Sequence, residues 1–338
     1  MSKSVILGIE SSCDDTSAAI IQENIILSNT TASQKIHLEY GGVVPELASR
    51  AHQQNIIPVV NQALSQANIQ QKEICAIGFT RGPGLLGSLL VGTSFAKSLA
   101  MALDIPLIEV NHLHAHILAH FIEDANASPP EFPFICLTVS GGHSLIVLVK
   151  DYFDMEVLGK SIDDAAGEAF DKIGKIMNLD YPAGPIIDQL SSRGNENAFQ
   201  FSKPNLENYN YSFSGIKTSV LYFIQKELKK NPQFIEDNLH DLCASVQKSI
   251  VDILLKKLQK AADDYKIKEI AIAGGVSANS KLRSSLQALS KEKGWNYYIP
   301  KFEYTTDNAA MIAMVAQLKY KRGEFTDLRT TATAKYDL

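Results

Sequence analysis

The chain has 338 residues, 45% hydrophobic and 20% charged, which is globular composition at a length that favours two domains over one core. A formal net charge of -5 excludes a general attraction to nucleic acid, so any RNA contact must come from a local patch or a partner. No apolar run reaches about 18 residues without a polar break, and Met1-Ser2-Lys3-Ser4 leads straight into a strand-like segment, so neither membrane span nor signal peptide is expected and the protein is assigned to the cytoplasm. Cys13, Cys75, Cys136 and Cys243 lie far apart without CxxC spacing and read as reduced thiols.

Val5 to Glu10 and Ala18 to Gln22 are strand runs around the polar tip Ser11-Ser12-Cys13-Asp14-Asp15-Thr16, which predicts a hairpin. Gly41, Gly42 and Pro45 mark a loop, and Glu46 to Ala67 carries apolar residues at helical spacing. Ile74 to Thr80 is a strand, followed by a helix to about Leu103 and a strand from Ile105 to Val110. Between the first two, Gly82-x-Gly84-x-x-Gly87 matches a dinucleotide fingerprint, but the acidic residue that should end the next strand, Asp104, precedes it. The glycines are expected instead to serve a tight strand-to-helix turn that lets the helix approach the sheet.

Asn111-His112-Leu113-His114-Ala115-His116 follows. On a helix His112 and His116 share one face, and two imidazoles one turn apart can hold a divalent metal while leaving room for a carboxylate and substrate; a His-rich solvated helix fits the same spacing. Glu123 to Pro133 reads as a linker. Phe134 to Val139 and Ser144 to Val149 then repeat the opening as a hairpin around Ser140-Gly141-Gly142-His143, with Gly141 and Gly142 expected at positive φ and their amides free to cradle an anion. Each half therefore starts with a strand pair around a small-residue turn, which favours duplication of one α/β unit with a ligand cleft between the copies.

Ser161 to Lys175 predicts a helix opened by Ser161 or Asp163, with Asp164, Glu168 and Asp171 on one stripe that suits either a ligand or pairing with Lys172 and Lys175. Pro185 is expected at a first helical position, with Asp188 in the turn beyond. Asn195 to Tyr211 is polar and irregular, a helix starts near Ile216, and another covers Asn238 to Asp263. Glu269 to Ala273 is a strand ending in Gly274-Gly275, with Ser277 expected to cap the next helix, and Trp295 to Pro300 is the last strand. Asp307, before a helix running to about Tyr320, is either a third metal ligand or that helix's cap.

The segments GIESSCDDTS (8–17), GGVVPELASRAH (41–52), NHLHAH (111–116), SGGHS (140–144), DDAAGEAFDK (163–172), YPAGP (181–185), SFSGIKT (212–218), AGGVSAN (273–279) and TDNAAMIA (306–313) together resemble the universal tRNA threonylcarbamoyladenosine transferase family in its bacterial form. The resemblance spans nearly the whole chain. It implies an α/β fold of two duplicated RNase H-like domains with a central cleft, as in the sugar kinase, Hsp70 and actin (ASKHA) superfamily. Residues 1–124 with 307–338 would form the first domain and 125–306 the second, since Asp307 must return to meet His112.

The implied reaction moves a threonylcarbamoyl group from threonylcarbamoyl-AMP to the N6 amine of adenosine at position 37 of tRNAs reading codons that begin with A, releasing AMP. By the family pattern His112, His116 and Asp307 hold one divalent metal, iron favoured and zinc possible, and act through it. Thr138, Val139, Ser140, Gly141 and Gly142 form the phosphate and carbamoyl loop, and Asp171, Gly184, Asp188 and Asn279 surround the ribose and base. His114 and His120 are not ligands in that pattern, and Ser144 stands where relatives more often carry Thr. Implied partners are tRNA, a paralogous inactive ASKHA protein and a small ATPase, with the adenylate coming from a separate synthase.

Chemistry agrees with the resemblance: a metal with open sites polarises the carbamoyl carbonyl, turn amides stabilise developing charge, and no Ser-His-Asp order or reactive Cys calls for a covalent intermediate. A metallopeptidase is the alternative, disfavoured because no Glu lies between His112 and His116 as HExxH requires. A nucleotide-dependent scaffold of the Hsp70 type would need a substrate-binding part beyond the nucleotide domains, for which a chain ending at Leu338 is expected to have no room.

Overall fold

The computed structural model describes residues 4–123, 128–202 and 206–338. Residues 1–3, residues 124–127 of the expected linker with the 124/125 boundary, and 203–205 of the irregular stretch lie outside the described residues. In chain order the elements are β1 (Val5–Glu10), β2 (Thr16–Gln22), β3 (Ile25–Ala32), α1 (Pro45–Ala67), β4 (Ala76–Gly82), α2 (Leu86–Leu103), β5 (Leu107–Asn111) and α3 (His112–Leu118). Then come β6 (Phe134–Val139), β7 (Ser144–Asp151), β8 (Asp154–Lys160), α4 (Ala166–Ile176), α5 (Ala183–Ser191), α6 (Ser214–Leu228), α7 (Phe234–Tyr265), β9 (Glu269–Ala273), α8 (Ser280–Lys293), β10 (Asn296–Tyr298) and α9 (Ala309–Lys321). They form two units, Met1–Pro129 with Pro300–Leu338, and Pro130–Ile299.

In the first unit the sheet order is β3-β2-β1-β4-β5. β1, β2 and β3 form an antiparallel meander, and β4 and β5 add in parallel on the other side of β1. Every residue of β1 is buried, so its alternation serves two cores. Val5, Leu7 and Ile9 pack with Ile56, Val59 and Val60 of α1 and Ala96 and Ala100 of α2. The opposite face carries α9, buried from Ala309 through Leu318. Gly8 and Gly78 make that approach possible: a Cβ on Gly8 would lie 2.6 Å from the Ala309 carbonyl oxygen, and one on Gly78 2.4 Å from the Ala316 Cβ. By length and composition α2 alone among the described residues passes as a membrane-crossing helix, yet its stripe of Ser88, Leu89, Gly92, Thr93, Ala96 and Ala100 is buried in the protein.

The glycine loop after β4 is a tight turn, three residues between β4 and α2, and it also admits other backbone. Backbone fills it: a Cβ on Gly82 would lie 2.0 Å from the Thr333 carbonyl oxygen and one on Gly84 2.4 Å from that of Ser12. The Gly84 amide donates to Ala334 (3.2 Å) and the Leu85 amide to Ser12 (2.7 Å), so these two loop amides are taken up by the chain itself.

The second unit repeats the topology, with order β10-β9-β6-β7-β8: an antiparallel meander from β6 to β8, and β9 and β10 parallel beside β6. Duplication of one α/β unit is thus visible strand for strand. Two strands absent from the sequence reading, β3 and β8, are half-exposed, and their polar residues (Ser28, Asn29, Thr30; Asp154, Glu156) hide the period. The β6–β7 turn also differs from expectation. Val139 pairs with Ser144, leaving a four-residue loop closed by the Ser140 amide donating to the His143 carbonyl at 2.8 Å, and neither Gly141 nor Gly142 has positive φ, because four residues turn without it.

Helix starts also moved. α4 begins at Ala166, whose amide donates to the Ser144 hydroxyl at 2.9 Å, while Asp163 accepts from the Ser212 and Ser214 hydroxyls and the Phe213 amide and so caps α6 instead. α5 starts at Ala183, two residues before Pro185. α8 is capped by Asn279, which accepts from the Leu282 amide at 3.0 Å, and not by Ser277, which sits in the preceding 3-10 turn Gly275–Ala278.

Candidate functional site

β5 ends on Asn111, whose side chain accepts from the amides of Leu113 (2.8 Å) and His114 (3.3 Å) and starts α3. His112 and His116 therefore stand one turn apart, rings 4.7 Å apart and edge to face, both buried. From the other end of the chain, α9 brings Asp307. Its cap is Asn308, which accepts from the Met311 amide at 3.1 Å, so the capping role open to Asp307 falls to its neighbour and its carboxylate is left for the imidazoles. The Asp307 Oδ1 lies 3.3 Å from His112 Nε2 and 3.3 Å from His116 Nε2. His114 and His120 stand outside this group.

Behind His112, the carboxylate of Glu10 meets Nδ1 at 3.0 Å, and the Ser12 hydroxyl lies 3.2 Å from the same nitrogen. Glu10 is fully buried, accepting also from the Thr80 hydroxyl at 2.7 Å and from the Ser12 amide. Burial opposes the charge on Glu10, yet the His112 imidazolium beside it holds the carboxyl below the usual range. Burial likewise opposes Asp307, and His112 and His116 outweigh it, so that carboxyl is also held low. Burial would lower His112, but Asp307 and Glu10 keep it well above an ordinary imidazole, whereas burial wins at His116 and lowers it.

A divalent cation fits this donor set. Both ring nitrogens of His116 are buried and, among the described residues, neither has a hydrogen-bond partner in good geometry; coordination through Nε2 would relieve one of them. The ligand atoms all lie within 4.8 Å of one another. Two bonds of about 2.05 Å at a tetrahedral angle put donor atoms about 3.4 Å apart, close to the two observed imidazole–carboxylate separations.

In the second unit, Thr138 and Val139 are buried at the end of β6, Ser140 is half-buried, and Gly141 and Gly142 are exposed with open space where a Cβ would stand. Among the described residues no hydrogen bond uses the amides of these two glycines. Gly274, at φ 85° and with a Cβ that would lie 2.4 Å from the Val139 carbonyl oxygen, brings the β9 turn against this loop. Asp171 accepts from the Ala183 amide at 2.8 Å, and burial raises its carboxyl despite the Ala183 and Gly184 amides. Gly184 meets only the Phe170 Cβ, at 3.9 Å, where its own Cβ would be. Asp188 accepts from the Ser280 hydroxyl (2.6 Å) and amide (3.0 Å), and Asn279 Nδ2 donates to Gln247 (2.7 Å). The carboxylate stripe resolves into ion pairs for two members, Lys172 reaching Asp164 at 2.7 Å and Glu168 at 2.8 Å.

Residues 25–314 match the family model of tRNA N6-adenosine threonylcarbamoyltransferase. The chain belongs to that family. Its relatives named tRNA N6-adenosine threonylcarbamoyltransferase include one from Riemerella anatipestifer, 77% identical over 338 residues (100% of this chain, 99% of that one), and one from Christiangramia forsetii, 59% identical over 331 residues (98% and 97%). The chain is thus a transferase of tRNA modification. Among solved structures, full-length HypF in its phosphate- and nucleotide-bound form aligns with a TM-score of 0.63 at 13% identity, covering 96% of this chain and 48% of that one. Component A of (R)-2-hydroxyglutaryl-CoA dehydratase from Acidaminococcus fermentans aligns with 0.55 at 14%, covering 94% and 99%. These likenesses concern the fold alone.

Glu10, Thr80 and Gln247 are site residues that no spacing in the sequence marks. A signal for Glu10 was present: a lone carboxylate closing an otherwise apolar run is costly to bury without a cationic or hydrogen-bonding partner. Gln247 gave none, being one polar residue in a long helix.

Proposed function

We propose that the chain transfers the threonylcarbamoyl group of threonylcarbamoyl-AMP to the N6 amine of adenosine at position 37 in tRNAs reading codons that begin with A, releasing AMP. The observation that carries this, in a chain of this family, is the His112–His116–Asp307 group, its imidazoles buried and backed by Glu10. Glu10 accepts the Nδ1 proton of His112, so that the proton a metal would displace is the one on Nε2, beside Asp307. His116, neutral in its buried site, offers a second nitrogen, and Asp307 remains ionised. These three residues would hold one divalent metal, iron favoured and zinc possible, which when bound polarises the carbamoyl carbonyl as a Lewis acid.

The unused Gly141 and Gly142 amides, on the loop from Thr138 through Val139 and Ser140, suit the adenylate phosphate. Asp171, Gly184, Asp188 and Asn279 are assigned to the ribose and base. Three of them also order helix starts in the second unit: Asp171 that of α5, Asp188 and Asn279 that of α8. An aromatic amine is a poor nucleophile, so a good leaving group and positioning supply the drive. A cysteinyl intermediate is disfavoured, because burial raises the thiols of Cys136 and Cys243 to about 12. A peptidase is disfavoured too, since Glu10 is buried on His112, Thr80 and Ser12 and cannot reach a water as general base.

The setting is assigned to the cytoplasm, with a paralogous ASKHA partner, a small ATPase and a separate synthase for the adenylate. The exposed side of α2 supports a protein partner: Leu86, Leu90 and Met101 are exposed apolar residues on it, and half-buried Lys97 is the helix's one charge. The test supplies threonylcarbamoyl-AMP and unmodified tRNA to the protein with its partners and assays the modified nucleoside. The His112→Ala/His116→Ala variant is expected to lose bound metal and about 10³-fold in transfer, some 4 kcal/mol of transition-state stabilisation, while still binding nucleotide. Transfer at the wild-type rate would refute the metal reading.

A further inference from the structure

We propose that residues 331–337 form a strap that positions the metal centre by holding Asn111, the residue from which α3 starts. The inference rests on the metal reading above but uses contacts which that reading does not need. The strap lies across the ends of β4 and β5. Arg81 Nε donates to the Thr331 carbonyl at 3.1 Å, the Thr333 amide to the Arg81 carbonyl at 2.9 Å, and the Gly84 amide to the Ala334 carbonyl at 3.2 Å. The Tyr336 ring stacks on the Arg81 guanidinium, 4.8 Å from its carbon, and the Tyr336 hydroxyl donates to Glu109 at 3.1 Å. Glu109 in turn accepts from Arg81 at 2.7 Å. The strap then reaches Asn111, whose Nδ2 donates to the Asp337 carbonyl at 2.9 Å.

That last bond decides which way the Asn111 amide faces. With Nδ2 on the strap, Oδ1 must point at the helix, where it caps the Leu113 and His114 amides. α3 has seven residues, too few to hold by propensity, so its end contacts determine whether its first turn keeps its place. His112 is the first residue of that turn, and metal bonds tolerate displacements of only about 0.2 Å. The strap is therefore a positioning element for His112, acting through Asn111.

The test uses the full chain, metal-free, titrated with Zn²⁺ against a chromophoric chelator. Asn111→Asp keeps an acceptor for the cap but turns the strap bond into an oxygen–oxygen repulsion; Tyr336→Ala removes the stack; Tyr336→Phe keeps it. Asn111→Asp and Tyr336→Ala are expected to weaken Zn²⁺ binding about tenfold, with Tyr336→Phe near wild type and the melting temperatures of the metal-free proteins unchanged. In metal-free Asn111→Asp the Leu113 and His114 amides should exchange faster. Wild-type affinity and exchange in both weakening variants would overturn the strap's role. So would an affinity loss matched by an equal fall in metal-free stability, which would make the strap part of the general fold. If the wild type itself bound no Zn²⁺, the metal reading would fall, and exchange at Leu113 and His114 would still decide the strap.

Discussion

Glu10 turns a pair of imidazoles into an oriented pair. Its carboxylate lies 3.0 Å from His112 Nδ1 and Asp307 lies 3.3 Å from Nε2, so His112 stands between two anions. Burial alone would lower His112, but Asp307 and Glu10 set it well above 6.5. A histidine raised in the folded state contributes stability that is complete below its unfolded value and is lost as pH rises through the folded one. His52, His114 and His116 are lowered by burial and act below 6.5, on the other side of that value from His112. The metal-free protein should therefore lose melting temperature as pH rises above 6.5, and added divalent metal should reverse the trend, because only the deprotonated imidazole coordinates. Glu10→Gln should shrink the slope and weaken metal binding by about 10- to 100-fold. Thermal melts across that window check both, and a flat wild-type profile would count against the pairing.

At the scale of elements, α9 delivers Asp307, and two glycines determine where α9 can lie. Gly8 sits two residues before Glu10 on the same face of β1, under the first turn of α9. Gly8→Ala places a methyl 2.6 Å from the Ala309 carbonyl oxygen, and the Ala309 amide is itself tied to the Ser17 hydroxyl at 2.9 Å, so the helix start must shift. An overpacking cost of about 1–3 kcal/mol is expected, with loss of metal although no ligand has changed. Gly142→Ala meets open space and should leave stability within about 0.5 kcal/mol of wild type. Denaturant titration and metal analysis of the two variants give the comparison; metal retained in full by Gly8→Ala would show that Asp307 does not depend on this packing.

For the molecule as a whole, two sheets of one topology carry different chemistry. The imidazoles, Asp307 and Glu10 all belong to the first unit, whereas the glycine turn, Asp171, Asp188 and Asn279 belong to the second. A metal at 100 times its Kd stabilises the state it binds by about 2.7 kcal/mol. That gain should appear as hydrogen-exchange protection within residues 4–123 and 300–338 and not within 130–299. Protection centred on the second unit would mean that the ligands lie elsewhere.

Strong periodicity among neighbours in sequence could be read before the fold was known. The apolar runs of β1, β6 and β9 gave those strands their bounds, and helical spacing gave His112 and His116 a common face, because period is a property of a few consecutive residues. The motifs gave the family and with it the expected ligands. Partnerships between distant segments were decided only in three dimensions. Asp307 and Asn308 are both ordinary candidates for a helix cap, and only the place of α9 on β1 assigns the cap to Asn308 and frees Asp307 for the imidazoles. Asp163 looks like the start of its own helix yet caps α6, and the glycines after β4 look like a phosphate loop yet admit Thr333. In each case several local partners are chemically acceptable, and the choice among them depends on where the rest of the chain returns.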